Sequence, residues 1–481
     1  MEKTNEEKQA GATASATRDK RHDRKERRND DATKVNLDEA VRISLPRPAS
    51  PLKPARFETD DGRGGWVTSL PGSKPIATPA YDNGMLFVGG GYGSYEFYGL
   101  DAGTGEVAWR TATADDGPTA AVVEDGLVAF NTESCSIIVC RADTGSLVWQ
   151  EWLGDPLMSQ PAVDKGKLFL AYPAGQRRGK PPVGQKSHRM LCADLFTGRH
   201  VWEQEITGDV ITAPVINDDQ VFFTCFDGTA FCLDAENGGV QWRERTESTS
   251  APLVVDDEVV MTEKIKRVRR SKESMLRRGR YRGEHRESIL CKEAAFLDYD
   301  SDFDASGLSE DYSTALDSSV GFAEAPQAAN LYAARNHVGV SRVAEAWAYQ
   351  GSRASYGKGK YFQAGSGSVD CVGGDSGESW KTEFTGKDVD LDDQIFLPAS
   401  MGRDYLYLCS RRGHLVSVNQ DDGSTGFCYS TRHGMSFQPC LAAGSVYAGT
   451  NHGGLVCLET GGDDASGWHM WGGNAQHNKT V

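Results

Sequence analysis

The sequence predicts an all-β fold: a β-propeller of eight blades, with seven as the alternative count, interrupted by one long insertion. Three observations carry this. The 481 residues include 54 glycines spread along the chain, which implies many tight turns and hence many short strands. From Trp66 onward a unit repeats that ends in Asp-x-x-x-Gly-x-x-x-Trp, and intact neighbouring ends such as Trp109 and Trp149, or Trp202 and Trp242, stand 40 residues apart. That is the length of four short antiparallel strands, one blade. Finally, Gly64–Gly72 (GGWVTSLPG) reads as the end of a repeat without a beginning and resembles Gln150–Gly154 (QEWLG). It is expected to supply the outer strand of the last blade, so that the two ends of the chain close the ring and remove its exposed edges.

Taken in order, residues 1–55 read as a disordered charged tail. They lack apolar periodicity, mix basic and acidic residues between Arg18 and Arg28, and carry four prolines in Leu45–Pro54. Such a composition buries too little apolar surface to fold. Residues 56–481 read as the propeller. The unit Pro79–Trp109 shows the plan: an apolar run after a proline, a turn, a second run, a Gly-rich turn, a third run, then Asp101–Gly105–Trp109. The same ending recurs at Asp194–Gly198–Trp202 and Asp234–Gly238–Trp242, and with Arg141 for the Asp before Gly145 and Trp149. The opening proline recurs at Pro161, Pro214, Pro252, Pro398 and Pro439. Degenerate ends are expected near Trp347, at Trp380, with Phe427 in place of Trp, and at Trp468 or Trp471.

Each part of the ending has a job. The Asp and the Thr-Gly or Asn-Gly after it make a turn that needs positive φ. The Trp wedges between neighbouring blades and buries on the order of 200 Å². Between Trp242 and Trp347 the chain is too long for one blade, so residues 264–345 are expected as an insertion within the propeller. Lys264–Arg286 holds 11 Lys or Arg against two acids, and Asp298–Asp304 is acidic. Val320–Trp347 has Ala, Leu and Val at helical spacing.

Composition excludes some function classes. With 52 basic and 68 acidic residues the net charge is −16, which repels phosphates, so no nucleic-acid partner is expected. No apolar run reaches the length of a membrane-spanning helix. The 11 cysteines are an odd number, none adjacent and none in a C-x-x-C pair. Cys140, Cys192, Cys232 and Cys457 lie in apolar, strand-like runs, which favours buried thiols acting as small hydrophobes over a disulfide framework. With no apolar leader visible, the expected compartment is the cytoplasm and the expected state a monomer.

The repeat [LV]-x-x-[LF]-D-x-x-[TN]-G-x-x-x-W resembles the pyrroloquinoline quinone-like (PQQ-like) propeller repeat, over Trp66–Val481. The stretches IATPAYDNGMLFVGGGYGSYEFYGLDAGTGEVAW, DDGPTAAVV, FNTESC, WLGDPLMSQPAV and GWHMWGGNAQHN look like an uncharacterised bacterial group described as BamB-like. The family includes quinoprotein dehydrogenases and non-catalytic BamB-type outer-membrane assembly factors. The resemblance implies a non-catalytic scaffold, without a cofactor, that binds a protein or peptide partner. Its alternative is a PQQ- or metal-dependent oxidoreductase using the central channel, with PQQ and calcium as cofactors. It also implies the periplasm or cell envelope as the alternative compartment. The dehydrogenases hold their quinone against a disulfide of adjacent cysteines, which this sequence lacks. No catalytic, cofactor-binding or metal-binding residue is assigned.

Other motifs are weaker. Asp298–Gly307 has Asp at alternate positions but lacks the Gly and Glu of a calcium loop. His188, His414, His433 and His452 can approach a propeller face, with no H-x-x-x-H pair to support zinc. Ser134–Cys135 offers a nucleophile without a nearby base. Gly89–Gly93 reads as a turn, since neither a helix nor Lys-Ser/Thr follows it. Trp468–Asn478 places two Trp near His477 and is expected to lock the closing blade. Lys264–Arg286 is expected to supply contact with an acidic partner.

Overall fold

Each repeat folds as a meander of four short strands, innermost first, so that one apolar face of every sheet is covered only when the next sheet stacks on it. The computed structural model describes residues 32–481 apart from 92, 133–135, 154–158, 174–187, 209, 211–212, 226–228, 247–250, 266–271, 280–286, 294–353, 366, 374–378, 387–395, 466–468, 471 and 477–481. The described residues form eight sheets, numbered here as blades in chain order. Blade 1 covers 80–112, blade 2 122–152, blade 3 162–206, blade 4 215–245, blade 5 253–293, blade 6 354–385 and blade 7 400–430. Blade 8 takes three strands from 440–459 and its fourth, β4 (Gly64–Ser69), from the other end of the chain. The innermost strands touch in chain order, and that of blade 8 touches that of blade 1, which closes the circle.

The closing strand is where the sequence places it. β4 runs antiparallel to Gly454–Glu459 with Trp66 opposite Cys457. Its expected likeness to Gln150–Gly154 is off by three residues. Both Trp66 and Trp149 occupy the fourth-strand position that docks the next blade, so Leu70 corresponds to Leu153, and both leucines are buried.

The blade-end motif is a joint between blades. The Trp109 indole N–H donates to Ala142 O (2.9 Å), Trp149 to Leu195 O (2.8 Å), Trp202 to Ala235 O (3.0 Å) and Trp380 to Gln420 O (3.0 Å). Trp66 does the same to Ala102 O at 3.1 Å. Every one of these acceptors follows the first residue of the next blade's turn. The indole also lies over that turn's glycine: a Cβ on Gly145 would sit 2.4 Å from Trp109 Cε3, and one on Gly105 2.5 Å from Trp66 Cε3. Those glycines have φ of +69° and +75°, so both the backbone conformation and the close approach require them. Asp101 fixes its turn by accepting from the Thr104 amide and hydroxyl, both at 2.8 Å. Across the sheet each Trp faces a residue that is small or slender: Gly99, Val139, Cys192, Cys232, Cys371 and Cys457. That is why so many cysteines sit in third strands.

Two expectations need correcting. The tail read as disordered up to residue 55 is structured from Thr33 on. β1 (Thr33–Asn36) pairs parallel with the outer strand of blade 6, β2 (Val41–Arg42) parallel with that of blade 7, and β3 (Pro54–Glu58) antiparallel with β4 of blade 8. Val35, Leu37 and Ile43 are buried, so a few apolar residues suffice when the strand ladder is already laid out. The prolines fall in the crossing between blades 7 and 8, with Pro54 at the first position of a strand, where its missing N–H is tolerated.

The second correction concerns the insertion. Its beginning, expected at 264, is blade: Glu258–Ile265, Lys272–Gly279 and Glu287–Glu293 are the second to fourth strands of blade 5. Leu290 pairs with Met275 immediately before the register shift, where blades 1 to 4 carry their Trp. Trp347, expected to end this blade, lies outside the described residues, as do the helical spacing of Val320–Trp347 and the acidic Asp298–Gly307. Residues 1–31 lie outside them too.

Candidate interaction surface

The outer rim divides into two kinds of edge. Blades 6, 7 and 8 carry β1, β2 and β3 as fifth strands, whereas among the described residues the outer strands of blades 1 to 4 carry none. On that bare side the outer strands are Val107–Ala112, Leu147–Trp152, His200–Ile206 and Val240–Arg245. Just before each Trp the register shifts, so that Val148 and Val201 have no partner across the sheet. Such bulges turn side chains outward. Leu147, Val148, Trp152, Phe196, Val201 and Val240 are exposed, Leu147 by 55% and Trp152 by 49%. They form an apolar belt on the outer strands of blades 2 to 4 and the turn leading into one of them.

Polar groups cross the joint between blades 2 and 3 along this belt. His200 lies between two carboxylates, with Nε2 2.9 Å from Glu151 Oε2 and Nδ1 2.8 Å from Glu203 Oε1. Arg189 donates to the other Glu203 oxygen at 2.7 Å. Partial burial works to raise the Glu203 carboxyl, but the bonds from Arg189 and His200 more than offset it and leave it below its ordinary value.

The inner rim is occupied by the chain itself. Ser400 Oγ donates to Pro439 O (2.5 Å) and Thr78 Oγ1 to Gln438 O (2.7 Å), so hydroxyls at the starts of inner strands serve neighbouring inner strands. After blade 8 the chain returns across these strands. Leu441, Val123 and Val163 hold equivalent places in blades 8, 2 and 3, and their amides donate to the carbonyls of His469, Ala475 and Gln476 at 2.8, 2.9 and 2.9 Å. Met470 and Ala475 are buried there. Asp463 anchors the return, accepting from the Tyr407 hydroxyl (2.9 Å) and the amides of Asp404 and Tyr405.

The residues singled out in the sequence are not brought into one site. His188 begins a third strand of blade 3, His414 lies in the third strand of blade 7, and His433 and His452 in loops of blades 7 and 8. Burial, then the nearness of His452, lowers the His433 pKa. His414 Nδ1 lies 3.0 Å from Ser410 Oγ, but that hydroxyl also accepts the His414 amide and is buried. It closes a hairpin rather than facing a substrate.

No group of His, Cys, Asp or Glu among the described residues could hold a metal ion. Gly89–Gly93 leads into the strand Glu96–Asp101. Ser134–Cys135, Trp468, Trp471 and His477 lie outside the described residues. Among the described residues nine cysteines are thiols rather than disulfides, and burial pushes those of Cys140, Cys192, Cys428, Cys440 and Cys457 up to about 12. Among the described residues no helix is long and apolar enough to cross a membrane.

Sequence reasoning missed the apolar belt. Its signal was present in the residues flanking each Trp, LV-W-QEW, HV-W-EQE and GV-QW, which a search for the Trp alone passes over.

A family model described as "Outer membrane protein assembly factor BamB" matches residues 55–180 and 136–274. BamB of Nitrosomonas eutropha is 24% identical over 267 residues, 46% of this chain and 62% of that protein. The chain therefore aligns with less than two-thirds of that relative's length. Among solved structures, BamB from Moraxella catarrhalis superposes with a TM-score of 0.51 at 14% identity, covering 82% of this chain and 98% of that one. A quinohemoprotein alcohol dehydrogenase from Pseudomonas putida gives 0.53 at 12% identity, covering 86% and 78%. At such identities the two structures speak for the β-propeller fold and not for an activity.

Proposed function

We propose that this BamB-like PQQ-repeat protein is a non-catalytic scaffold that holds a protein partner on the outer rim of blades 2 to 4. The observation that carries the reading is the apolar belt. Large apolar side chains left exposed on neighbouring blades cost free energy in water, and such surfaces are covered when a protein works. The relatives are outer membrane protein assembly factors, which supports a protein partner and a cell-envelope setting over the cytoplasmic one. The buried thiols suit an oxidising compartment, because raised pKa and burial both withhold the thiolate.

The quinone alternative fits these residues poorly. It asks for adjacent cysteines, which the sequence lacks, and for an open ring of inner strands, where Leu441, Val123 and Val163 are bonded to the chain's own return.

A photo-crosslinking residue at Val148 or Val201, compared with one at Asp421 on the strapped side, tests the rim. Adducts to one protein from the first two positions, abolished by Trp152→Ser, are expected. Equal labelling from Asp421, or none anywhere, would overturn the assignment. Calorimetric titration with PQQ and calcium is expected to be flat, and saturable heat with dye reduction would restore the oxidoreductase reading.

A further inference from the structure

We infer that the partner of the rim adds a short strand, parallel, to the outer edge of blade 3 at Gln204–Ile206, carrying a Lys or Arg followed by a β-branched residue. This rests on the scaffold reading above and specifies how the rim is used. The template lies in the same molecule. β1 runs parallel to the outer strand of blade 6 from Thr382, two residues after Trp380, and β2 runs parallel to that of blade 7 from Tyr429, two residues after Phe427. The same direction and the same starting register occur at two blades, so the outer strand of this repeat is built to accept a parallel neighbour there. Main-chain hydrogen bonds give such additions their affinity and alternate side chains their specificity.

Among the bare edges, blade 3 repeats the accepting sequence. Blade 6 reads Trp380-Lys-Thr-Glu-Phe-Thr385 and blade 3 reads Trp202-Glu-Gln-Glu-Ile-Thr207. Glu205 stands where Glu383 does, and Ile206 where Phe384 does, both apolar side chains being buried. In blade 6, Lys34 and Val35 face Glu383 and Phe384 in register. Blades 1 and 4 have Arg-Thr-Ala-Thr and Arg-Glu-Arg-Thr after the Trp, without the Glu–apolar pair.

Charge is where the two edges differ. Lys381 of blade 6 bonds Glu383 at 2.7 Å, while its counterpart in blade 3 is Glu203. Glu203 is itself held by Arg189 and His200, so Glu205, three residues after Trp202, is the carboxylate that a basic residue of the added strand meets.

The probe is a fluorescent peptide of the chain's own sequence Thr33–Arg42, added to the full chain. Hydrogen exchange at Glu203–Ile206 is expected to slow at least tenfold on binding. Glu205→Lys, an exposed position that leaves the fold intact, is expected to weaken binding about tenfold, and a peptide with Lys34→Glu to recover it. A peptide of reversed sequence is expected to bind at least tenfold more weakly. Protection confined to blade 6, protection nowhere, or equal binding of the reversed peptide would overturn the strand addition. If the rim still crosslinks its partner while these amides stay unprotected, strand addition fails and the scaffold reading stands.

Discussion

Blade 6 and blade 3 are built from the same repeat, with the same inner strands, turn chemistry and Trp joint, and differ in what lies on their outer edge. On blade 6, β1 covers the edge, and Thr382 and Phe384 beneath it are buried. On blade 3 the matching residues are more open, except Ile206, which is buried like Phe384: Gln204 is half-buried where Thr382 is buried, and Glu203 and Glu205 are exposed where Lys381 and Glu383 are half-buried. The fifth strand is therefore not needed to complete a blade; the meander and the joint do that. It is an addition the edge can take, supplied by the chain itself on one side of the ring and left to other molecules on the other.

If closure rests on the joint, truncating the Trp of the closing strand should cost most. Trp66→Ala removes a buried indole, its bond to Ala102 O and the cover over Gly105. Chemical denaturation is expected to show a loss of about 3–5 kcal/mol, and a smaller one for the half-buried Trp149→Ala. Equal losses would mean that the closing joint is no different from the rest.

Val35→Asp tests the strap itself. Losing this buried side chain is expected to cost about 1.5–3 kcal/mol and to speed exchange of the Thr382–Thr385 amides while leaving blades 1 to 4 unchanged. Faster exchange throughout the ring would show that the strap stabilises more than the edges it covers.

The strapped side also has an acid response of its own. Hydrogen bonds from the hydroxyls of Thr59 (2.6 Å) and Tyr429 (2.5 Å) hold the Asp61 carboxyl below its ordinary 3.8. A carboxylate lowered in the folded state contributes stability above its unfolded pKa and loses it as pH falls through the folded value. Thermal melts below pH 3.8 should therefore fall more steeply for the native chain than for Asp61→Asn, with the curves parallel near neutrality. The smallest effect is expected on the bare side: Trp152→Ser should change stability by less than about 0.5 kcal/mol, although it removes partner binding. A larger loss would make that Trp part of the fold rather than of a surface.

What the sequence reveals follows the range of the physics involved. The turn, the positive-φ glycine and the Trp are written within nine residues, so the ring was legible. The substitution at Phe427 has its reason next door. The following blade is closed by β4 from the far end of the chain, so no Asp-to-Gly turn exists there to receive an indole. The Arg63 guanidinium lies over the Phe427 ring instead, 5.1 Å from its centre. β1 and β2 were illegible because four and two residues carry no periodicity, and only a sheet made elsewhere gives them a place. The strands of blade 5 were hidden by their charge, since Lys and Arg in 264–286 read as solvated loop. The rim could be found only once strand pairing showed which residues beside each Trp point away from the ring.

The straps also set an order in time. β1 to β4 fall within the first 69 residues, yet β1, β2 and β4 find their partners at 382–385, 429–430 and 454–458. A ribosome releasing the chain in order must leave those strands waiting until blades 6, 7 and 8 have emerged. Contacts so distant in sequence are slow to form, and the nascent ring meanwhile exposes its incomplete eighth blade and the unpaired edges of blades 6 and 7. Translation arrested before those blades yields a sticky arc, and strands made ahead of blade 1 complete the ring last.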